Sequence, residues 1–307
     1  MLDSQKLGRN FGIGILFIIM AWGVYDHTLH ISIPFWQNRL VNYLYQDGYI
    51  TPYPSKHKLH VVSVGTDWNA SKRLVLSAHI WQLPLTLLGI GEKFGGFLDK
   101  PAKLSAYLKN LPDDDIVMFV DAYDVFINAD EARLVNAFKK KKRPLVVAAD
   151  NWLYPDIDVG RLYPNTPPEI LFRYLNSGGS IGYVSAYKKM IAWFKQDHCR
   201  DAYGRRYHFG HDQRCFTSYY LAHQQDVALD HTQEIFACLN EIHHPGYYKI
   251  VSAETIDNRL TMKNSMVFHG NGTSGKLYFF ALYDRLILRW KKSLMWGNTA
   301  NIPWYLY

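Results

Sequence analysis

The chain has 307 residues, which is enough for one large domain or two small ones. Hydrophobic residues make up 48% of it and aromatic residues 15%, which excludes an intrinsically disordered chain and permits a sizeable core. The net charge of +7 fits an anionic ligand or an anionic membrane face. No stripe of alternating aromatic and basic residues accompanies this charge, so the sequence does not indicate nucleic-acid binding.

The first predicted element is a hydrophobic segment near the N-terminus. Lys6 and Arg9 precede the uncharged stretch 11–25, which carries Trp22 and Tyr25 at its outer end. We interpret this stretch as the anchor of a type II single-pass membrane protein whose catalytic part is lumenal or external, although a spanning helix usually needs about 20 apolar residues. A cleaved signal peptide and a soluble or interfacial capping helix are the alternatives, and no small-x-small cleavage site follows the segment.

Strands and helices alternate in the next part of the chain. Short apolar runs predict strands, and longer segments with apolar residues on one side predict helices. The predicted strands are 58–65, 83–89, 115–121 and 143–150, and the predicted helices between them are 69–83, 100–111 and 129–141. This alternation predicts an α/β fold with a mostly parallel central sheet flanked by helices. Ligands of such sheets bind beyond the carboxyl ends of the strands, where Asp121 and Asp150 lie.

The second half of the chain is less regular. A glycine-rich turn and a short strand are predicted within 175–187, and a strand that runs into another glycine-rich turn is predicted at 265–272. The remaining predicted elements are helices at 186–196, 211–223 and 277–290 and strands at 226–230 and 234–239. The cysteines Cys199, Cys215 and Cys238 match no zinc-binding spacing and allow at most one disulfide, so they leave the redox compartment open.

Two acids follow the most apolar of the predicted strands. The stretch "FVDAYDVF" places Asp121 and Asp124 three positions apart, directly after "IVMFV". Two carboxylates beside a dry core repel each other unless a cation lies between them, and a divalent ion that also binds substrate phosphates is a recurrent solution. The alternative is that Asp121 caps a turn and Asp124 faces water.

A second motif strengthens the prediction of a metal site. His269 ends the apolar strand "SMVF" and can supply an imidazole as a third ligand. Gly270, Asn271 and Gly272 follow it, and glycines allow the backbone to approach a diphosphate closely. Lys276 lies just beyond and can neutralise phosphate charge.

The motifs taken together resemble the glycosyltransferase domain of the procollagen lysyl hydroxylases, over roughly residues 58–290. The segments that carry the resemblance are "LGIGEKFGGFLDKPAKLSAYLKNLPDDDIVMFVDAYDVF", "LNSGGSIGY", "HDQRCFTSYYL", "ALDHTQEIFACLN" and "FHGNGTSGK", in this order. The resemblance implies a GT-A fold, a UDP-sugar donor and Mn²⁺. It also implies that Asp121, Asp124 and His269 hold the metal ion.

The resemblance further implies where the nucleotide binds. Tyr123 is expected to stack on the uracil, with Phe94 on the other face of the base, where family members often have tryptophan. Thr66 and Asp67 follow the first strand, where the family holds the uridine. Lys103 is expected to approach the nucleotide-sugar.

Residues for the transferred sugar come from the same resemblance. The family motif D-D-Q reads "HDQ" here, so Asp212 and Gln213 are kept while His211 replaces the first acid. We expect Asp212 and Gln213 to act at the transferred sugar, and the histidine leaves the preference for the donor sugar open.

Three further residues are candidates for contacts with the sugar or the acceptor. Asn176 in "LNSGG" is grouped with the catalytic residues as a sugar contact, and a turn-forming asparagine is the alternative. Trp152 and Asp150 are expected to contact the acceptor or the sugar. For Trp152, an aromatic residue at the edge of the core is the alternative.

The expected function is metal-dependent transfer of glucose or galactose from a UDP-sugar to a hydroxyl acceptor. That acceptor is hydroxylysine or galactosyl-hydroxylysine of a collagen-like protein, or another glycan. A non-catalytic nucleotide-sugar-binding protein and a metal-dependent nucleotidyl or phosphoryl transferase are the alternatives, and no P-loop or dinucleotide fingerprint supports the latter. The expected domains are an anchor or capping helix at 1–35, a linker at 36–57, the glycosyltransferase domain at 58–290 and a tail at 291–307.

Overall fold

A computed structural model describes residues 53–96, 98–198, 211–242, 244 and 246–296 of the chain. The predicted anchor at 11–25 and Cys199 lie outside the described residues. Within those ranges, no helix combines the length and the hydrophobicity that crossing a membrane requires.

The described elements follow the alternation that the sequence predicts. The strands are β1 (Leu59–Val64), β2 (Leu85–Leu88), β3 (Ile116–Asp121), β4 (Val125–Ile127), β5 (Leu145–Asp150), β6 (Tyr174–Tyr183), β7 (Val227–Asp230), β8 (Phe236–Cys238), β9 (Tyr248–Ile250), β10 (Ile256–Asn258), β11 (Lys263–Asn264) and β12 (Val267–His269). The α-helices are α1 (Trp68–Ile80), α2 (Asp99–Leu108), α3 (Glu131–Lys140), α4 (Val184–Trp193), α5 (Asp212–Ala222) and α6 (Gly272–Trp296). A 3₁₀ helix spans Ile157–Leu162, and a π-helical turn, Phe194–His198, follows α4 directly.

The central sheet confirms the predicted α/β fold. Its six strands lie in the order β2-β1-β3-β6-β5-β7. All neighbouring strands are parallel except β6, which is antiparallel to both β3 and β5. The apolar run Ile116–Val120 of β3 is buried because this strand lies between β1 and β6. Asp121 ends the run at the carboxyl edge of the sheet.

Two of the described helices begin at a side-chain cap. Asp67 accepts a hydrogen bond from the Ala70 amide at the start of α1, and Asp130 accepts one from the Arg133 amide at the start of α3. Lys139 and Lys140 lie in the last turn of α3, where positive charge is favourable.

A second sheet brings the two metal-ligand motifs together. It has the order β4-β12-β8, and the antiparallel pairing of β12 with β4 sets His269 opposite Val125. The Gly270 amide also donates to the Asp124 carbonyl at 2.8 Å. A third, antiparallel sheet has the order β11-β10-β9.

The prediction of a glycine-rich turn within 175–187 is wrong, because residues 175–183 belong to the ten-residue strand β6. The glycines mark close packing instead of a turn. A Cβ atom on Gly178 would lie 2.1 Å from Cε1 of His269, and one on Gly179 would lie 2.6 Å from Cδ1 of Phe236. The strand carries a β-bulge: Val147 pairs with Ser180, while the next residue, Ala148, pairs with Asn176.

Candidate metal centre and active site

The predicted metal ligands converge at the carboxyl edge of the central sheet. Asp121, Asp124 and His269 each offer a ligand atom, and these atoms lie within 4.8 Å of one another. His269 Nε2 is 3.6 Å from Asp121 Oδ2 and 3.6 Å from Asp124 Oδ1. Two carboxylates and one imidazole fit Mn²⁺, which binds carboxylate oxygens and also imidazole nitrogen. The donor set therefore suits the ion that the resemblance implies.

Burial and mutual charge perturb these ligands. Burial by itself would raise the pKa of Asp121, but Lys100 and His269 outweigh this effect and lower it. Burial would lower the pKa of His269, and the carboxylates of Asp124, Asp121 and Asp150 raise it instead. Strongly perturbed groups that cluster in this way are typical of functional sites, and a metal ion that bound here would displace the proton that the acids stabilise on the imidazole.

A buried hydrogen-bond chain lies behind the imidazole. His269 Nδ1 is 3.1 Å from Oδ1 of Asn176, and Nδ2 of Asn176 donates to Asp150 Oδ2 at 3.2 Å. Asp150 also accepts hydrogen bonds from Asn271 Nδ2 at 2.5 Å and from the Trp152 amide at 3.1 Å. Burial raises the pKa of Asp150 in spite of these donors. Asp150 and Asn176 thus lie beside the predicted metal ligands.

Lys100 is a site residue that the sequence prediction missed. Its Nζ lies 2.5 Å from Asp121 Oδ1 and 3.3 Å from Asp212 Oδ2. Burial would lower the pKa of Lys100, but both carboxylates raise it, so the ammonium group stays charged. The detectable signal is its position in the first turn of α2, where positive charge opposes the helix dipole and therefore calls for acidic partners.

The "HDQ" segment starts helix α5 on the same side of the site. Asp212 is buried, and this burial raises its pKa while Lys100 opposes the shift. Gln213 Oε1 accepts hydrogen bonds from the Ser177 amide at 3.3 Å and from its hydroxyl at 3.4 Å. Gln213 Nε2 donates to the Tyr154 carbonyl at 2.7 Å. Gln213 therefore connects the bulge of β6 to the loop after β5.

The residues predicted to hold the uridine lie together after β1. The Tyr123 hydroxyl accepts hydrogen bonds from the amides of Thr66 at 2.7 Å and Asp67 at 3.0 Å. The Thr66 carbonyl accepts a hydrogen bond from the Gly91 amide at 3.0 Å, which connects the loop after β1 to the loop after β2. The Tyr123 side chain is 40% exposed, so its ring offers a surface on which a planar base can stack.

Phe94 and Lys103 lie on the loop after β2 and on helix α2. Phe94 is 50% exposed. Lys103 forms an ion pair with Glu92 and packs against Gly89, where a Cβ atom would lie 3.0 Å from its Cε. Lys100, and not Lys103, is the lysine of α2 that reaches the acids.

The turn after His269 leads directly into α6. Gly272 adopts φ +71°, in the left-handed region that favours glycine. Asn271 Oδ1 is buried and has no hydrogen-bond partner among the described residues, so a polar ligand could satisfy it. Lys276 in the first turn of α6 is exposed and helps to lower the pKa of Asp121.

Trp152 is 57% exposed beside Asp150, which disagrees with a core-edge role for this side chain.

The two described cysteines differ in oxidation state. Cys215 of α5 is disulfide-bonded, whereas Cys238 of β8 is a buried free thiol. Burial raises the pKa of the Cys238 thiol well above its ordinary value, as do the nearby Asp150 and Asp230. A thiol in this setting is structural and unreactive.

The mostly parallel sheet with acids and a histidine at its carboxyl edge defines a GT-A-type glycosyltransferase domain. A family model described as "PLOD GT domain" matches residues 55–293, and the chain belongs to this family. The family that the sequence motifs resemble is thereby confirmed.

Individual relatives agree with the family assignment. Procollagen-lysine,2-oxoglutarate 5-dioxygenase 1 of Gallus gallus is 29% identical over 234 residues, which cover 71% of this chain and 30% of the relative. The multifunctional procollagen lysine hydroxylase and glycosyltransferase of Caenorhabditis elegans is 28% identical over 256 residues, covering 77% and 33%. The protein LH3 of Homo sapiens, with the same description, is 28% identical over 236 residues, covering 70% and 30%. The chain thus spans about a third of the length of these relatives.

Proposed function

We propose that this chain transfers glucose or galactose from a UDP-sugar to a hydroxyl acceptor in a Mn²⁺-dependent reaction. The acceptor we propose is hydroxylysine or galactosyl-hydroxylysine of a collagen-like protein, with another glycan as the second choice. The observation that carries the proposal is the convergence of Asp121, Asp124 and His269, whose ligand atoms lie within 4.8 Å although the residues come from distant parts of the sequence. Membership in a glycosyltransferase family supports it.

In the proposed mechanism Asp121, Asp124 and His269 would hold the Mn²⁺ ion. When bound, the ion supplies positive charge that stabilises the negative charge on the UDP leaving group. Lys100 and Lys276 add fixed positive charge on the same side of the site. The acceptor hydroxyl attacks the anomeric carbon as the bond from this carbon to UDP breaks, and the hydroxyl proton passes to a phosphate oxygen of the departing UDP. Such charge works best in a water-poor site, and the burial of Lys100 and His269 fits this requirement.

The uridine would bind beside β1 and its following loop. We propose that the base stacks on Tyr123 and Phe94, that Thr66 and Asp67 hold the uridine, and that Lys103 approaches the diphosphate after leaving Glu92. The turn at Gly270, Asn271 and Gly272 would face the diphosphate. The exposed rings of Tyr123 and Phe94 support this assignment, because an exposed aromatic face offers a surface on which a planar base can stack.

The transferred sugar and the acceptor would lie on the other side of the acids. We propose that Asp212 and Gln213 orient the sugar, and that Trp152 stacks on the sugar or the acceptor. In support of this arrangement, the buried Asp212 carboxylate pairs with Lys100, and Lys100 also pairs with the proposed metal ligand Asp121.

For the rest of the chain we propose that 58–290 is the catalytic domain, joined by the linker 36–57 to a membrane anchor within 1–35, with 291–307 as a tail. The domain would face the lumen or the cell exterior. The disulfide at Cys215 supports an oxidising compartment, since disulfides persist there and are rare in the cytosol. Protease protection of the catalytic domain in sealed microsomes tests this orientation, and cleavage without detergent would contradict it.

The deciding experiment is a panel of UDP-sugars scored for Mn²⁺-dependent release of UDP, with synthetic peptides that carry lysine, hydroxylysine or galactosyl-hydroxylysine. Transfer of hexose to a hydroxyl-bearing peptide, absent with the lysine peptide and with EDTA, supports the proposal. Mass spectrometry that finds nucleotide or phosphate on the acceptor supports the nucleotidyl or phosphoryl transferase instead. UDP-sugar binding without any turnover supports the non-catalytic protein.

A further inference from the structure

Asn176 is a buried amide that lies between a metal ligand and an acid. Its Oδ1 accepts a hydrogen bond from the Gly178 amide at 2.9 Å and lies 3.1 Å from Nδ1 of His269. Its Nδ2 donates to Asp150 Oδ2 at 3.2 Å. The residue is only 4% exposed, so little of it is open to a sugar.

These contacts determine which way the amide points. The Gly178 N–H needs an acceptor and the Asp150 carboxylate needs a donor, and only one orientation of the Asn176 amide satisfies both. In that orientation an oxygen faces Nδ1 of His269, so Nδ1 must carry the hydrogen. The lone pair of the neutral imidazole is then on Nε2, the nitrogen that lies 3.6 Å from both Asp121 and Asp124.

The bulge of β6 makes this contact possible. Val147 and Ala148 are consecutive in β5, yet they pair with Ser180 and Asn176, so residues 177–179 are additional in β6. Bulges next to active sites commonly redirect a side chain. The missing side chain at Gly178 leaves the space for the imidazole, since a Cβ atom there would lie 2.1 Å from Cε1 of His269.

We infer that Asn176 is a positioning residue that holds His269 in the Nδ1-protonated tautomer, with Nε2 directed at the metal site, and that Asp150 in turn holds the amide of Asn176. This role differs from the sugar contact that the sequence suggests, and it rests on the metal assignment within the proposed function. A histidine in the other tautomer would present an N–H group to the cation. Partners of this kind commonly change metal affinity by about 10- to 100-fold.

The first test measures the metal-free wild-type protein. Protein labelled with ¹⁵N-histidine is measured by NMR at a pH at which the His269 ring is neutral, and a His269→Gln variant identifies the signals of this ring. We expect a pyrrole-type Nδ1 and a pyridine-type Nε2. The opposite pattern would overturn the inference, whatever the enzymatic activity.

The second test compares two asparagines that both donate to Asp150. Asn176→Ala removes the oxygen that faces His269, whereas Asn271→Ala removes the other side-chain donor to Asp150 and leaves that oxygen in place. Asn176→Ala should weaken Mn²⁺ binding by about 10- to 100-fold, measured as free Mn²⁺ by electron paramagnetic resonance. It should also give a mixture of His269 tautomers, while Asn271→Ala keeps the wild-type tautomer.

An Asn176→Ala protein with wild-type Mn²⁺ affinity and tautomer would refute the role of Asn176. Both readouts are made without a UDP-sugar, so they are independent of glycosyl transfer. A wild-type protein that binds Mn²⁺ with the expected tautomer but transfers no sugar would overturn the proposed function and leave the positioning role standing. A wild-type protein that binds no Mn²⁺ would overturn the metal assignment and the positioning role together.

Discussion

The Lys100 ammonium group lies between the carboxylates of Asp121 and Asp212, 2.5 Å from Oδ1 of the first and 3.3 Å from Oδ2 of the second. Asp121 is a proposed metal ligand and Asp212 is a proposed sugar contact. The Lys100 ammonium group therefore connects the proposed metal site to the proposed sugar site. All three groups are largely buried. In the protein without metal, Lys100 therefore offsets the repulsion between the two acids.

Replacement of Lys100 by methionine should destabilise the metal-free protein, because it leaves two buried carboxylates without their cation. We expect a loss of about 3 kcal/mol in the free energy of unfolding, measured with urea at pH 7. Added Mn²⁺ should recover part of this loss, since the ion neutralises Asp121 directly. Mn²⁺ should thus stabilise the variant more than it stabilises the wild type.

Lys103→Met is the matched control, because Lys103 lies on the same helix and pairs with the exposed Glu92. Loss of a surface ion pair costs at most about 1 kcal/mol, and Mn²⁺ should stabilise this variant as it does the wild type. Equal unfolding free energies for the Lys100 and Lys103 variants would show that Lys100 has no special role between the acids.

The sequence predicts the parts of the site that are visible in local patterns. A continuous apolar run that ends in an acid identifies β3 and Asp121, and an apolar run that ends in a histidine and glycines identifies β12 and His269. Both predictions use only the burial of a strand and the rule that ligands bind at strand ends. The order of the central strands, with an antiparallel β6, depends on pairings that no local pattern contains.

Two features show why the rest of the fold and of the site could not be predicted from the sequence: the glycines of β6 and Lys100. Gly178 and Gly179 suggest a turn when they are taken alone, because their partners His269 and Phe236 come from strands far along the chain. Apart from its position in the first turn of α2, Lys100 resembles any lysine of an amphipathic helix, and only the fold brings Asp121 of β3 and Asp212 of α5 to it. Such tertiary contacts decide the role of a residue whose own type is ambiguous.

Gly178→Ala should weaken Mn²⁺ binding, because the added methyl group would lie 2.1 Å from Cε1 of His269 and must displace the ring. We expect at least about a tenfold loss of Mn²⁺ affinity by isothermal titration calorimetry. Gly179→Ala is the control on the same strand, since its Cβ atom would meet Phe236 instead. Both variants should lose about 1–3 kcal/mol of stability through overpacking, but only the first should lose metal affinity. Equal Mn²⁺ affinity in the two variants would contradict the placement of His269.

Asp124→Ala should abolish Mn²⁺-dependent release of UDP while the protein stays folded, because the acid lies at the rim of the sheet and is one of the three proposed metal ligands. The measurement is UDP release at saturating UDP-sugar, together with the far-ultraviolet circular dichroism spectrum. Asp114→Ala serves as the control, since that carboxylate is exposed and pairs with Lys58 at the opposite end of β3. It should retain turnover, and wild-type turnover by the Asp124 variant would remove this residue from the metal site.

Asp212→Asn should spare the binding of UDP and slow the transfer of the sugar. The substitution keeps the shape of the side chain but removes the charge that we propose to act at the transferred sugar. We expect UDP affinity within a few-fold of wild type by calorimetry and a decrease in kcat of about 100-fold, the scale expected when a reacting group is misplaced. An unchanged kcat would exclude Asp212 from the mechanism. A loss of UDP affinity as large as the loss of kcat would assign Asp212 to nucleotide binding.

His79 should make the domain sensitive to mild acid through its burial in α1. Its Nδ1 lies 2.6 Å from the Tyr53 hydroxyl, and burial lowers the pKa of His79 from 6.5 to about 4. The unfolded chain therefore binds a proton at this residue below about pH 6.5 that the folded chain accepts only near pH 4, so stability falls as the pH decreases through this window. The loss amounts to about 3 kcal/mol at most.

His79→Gln removes this proton uptake while keeping a polar group. Urea unfolding of both proteins between pH 7 and pH 4 should show the difference in unfolding free energy shifting in favour of the variant by about 3 kcal/mol as the pH falls. Other acids contribute equally to both proteins and cancel in the difference. A difference that stays constant across this pH range would mean that His79 titrates alike in the folded and unfolded chains, and that burial does not keep it neutral.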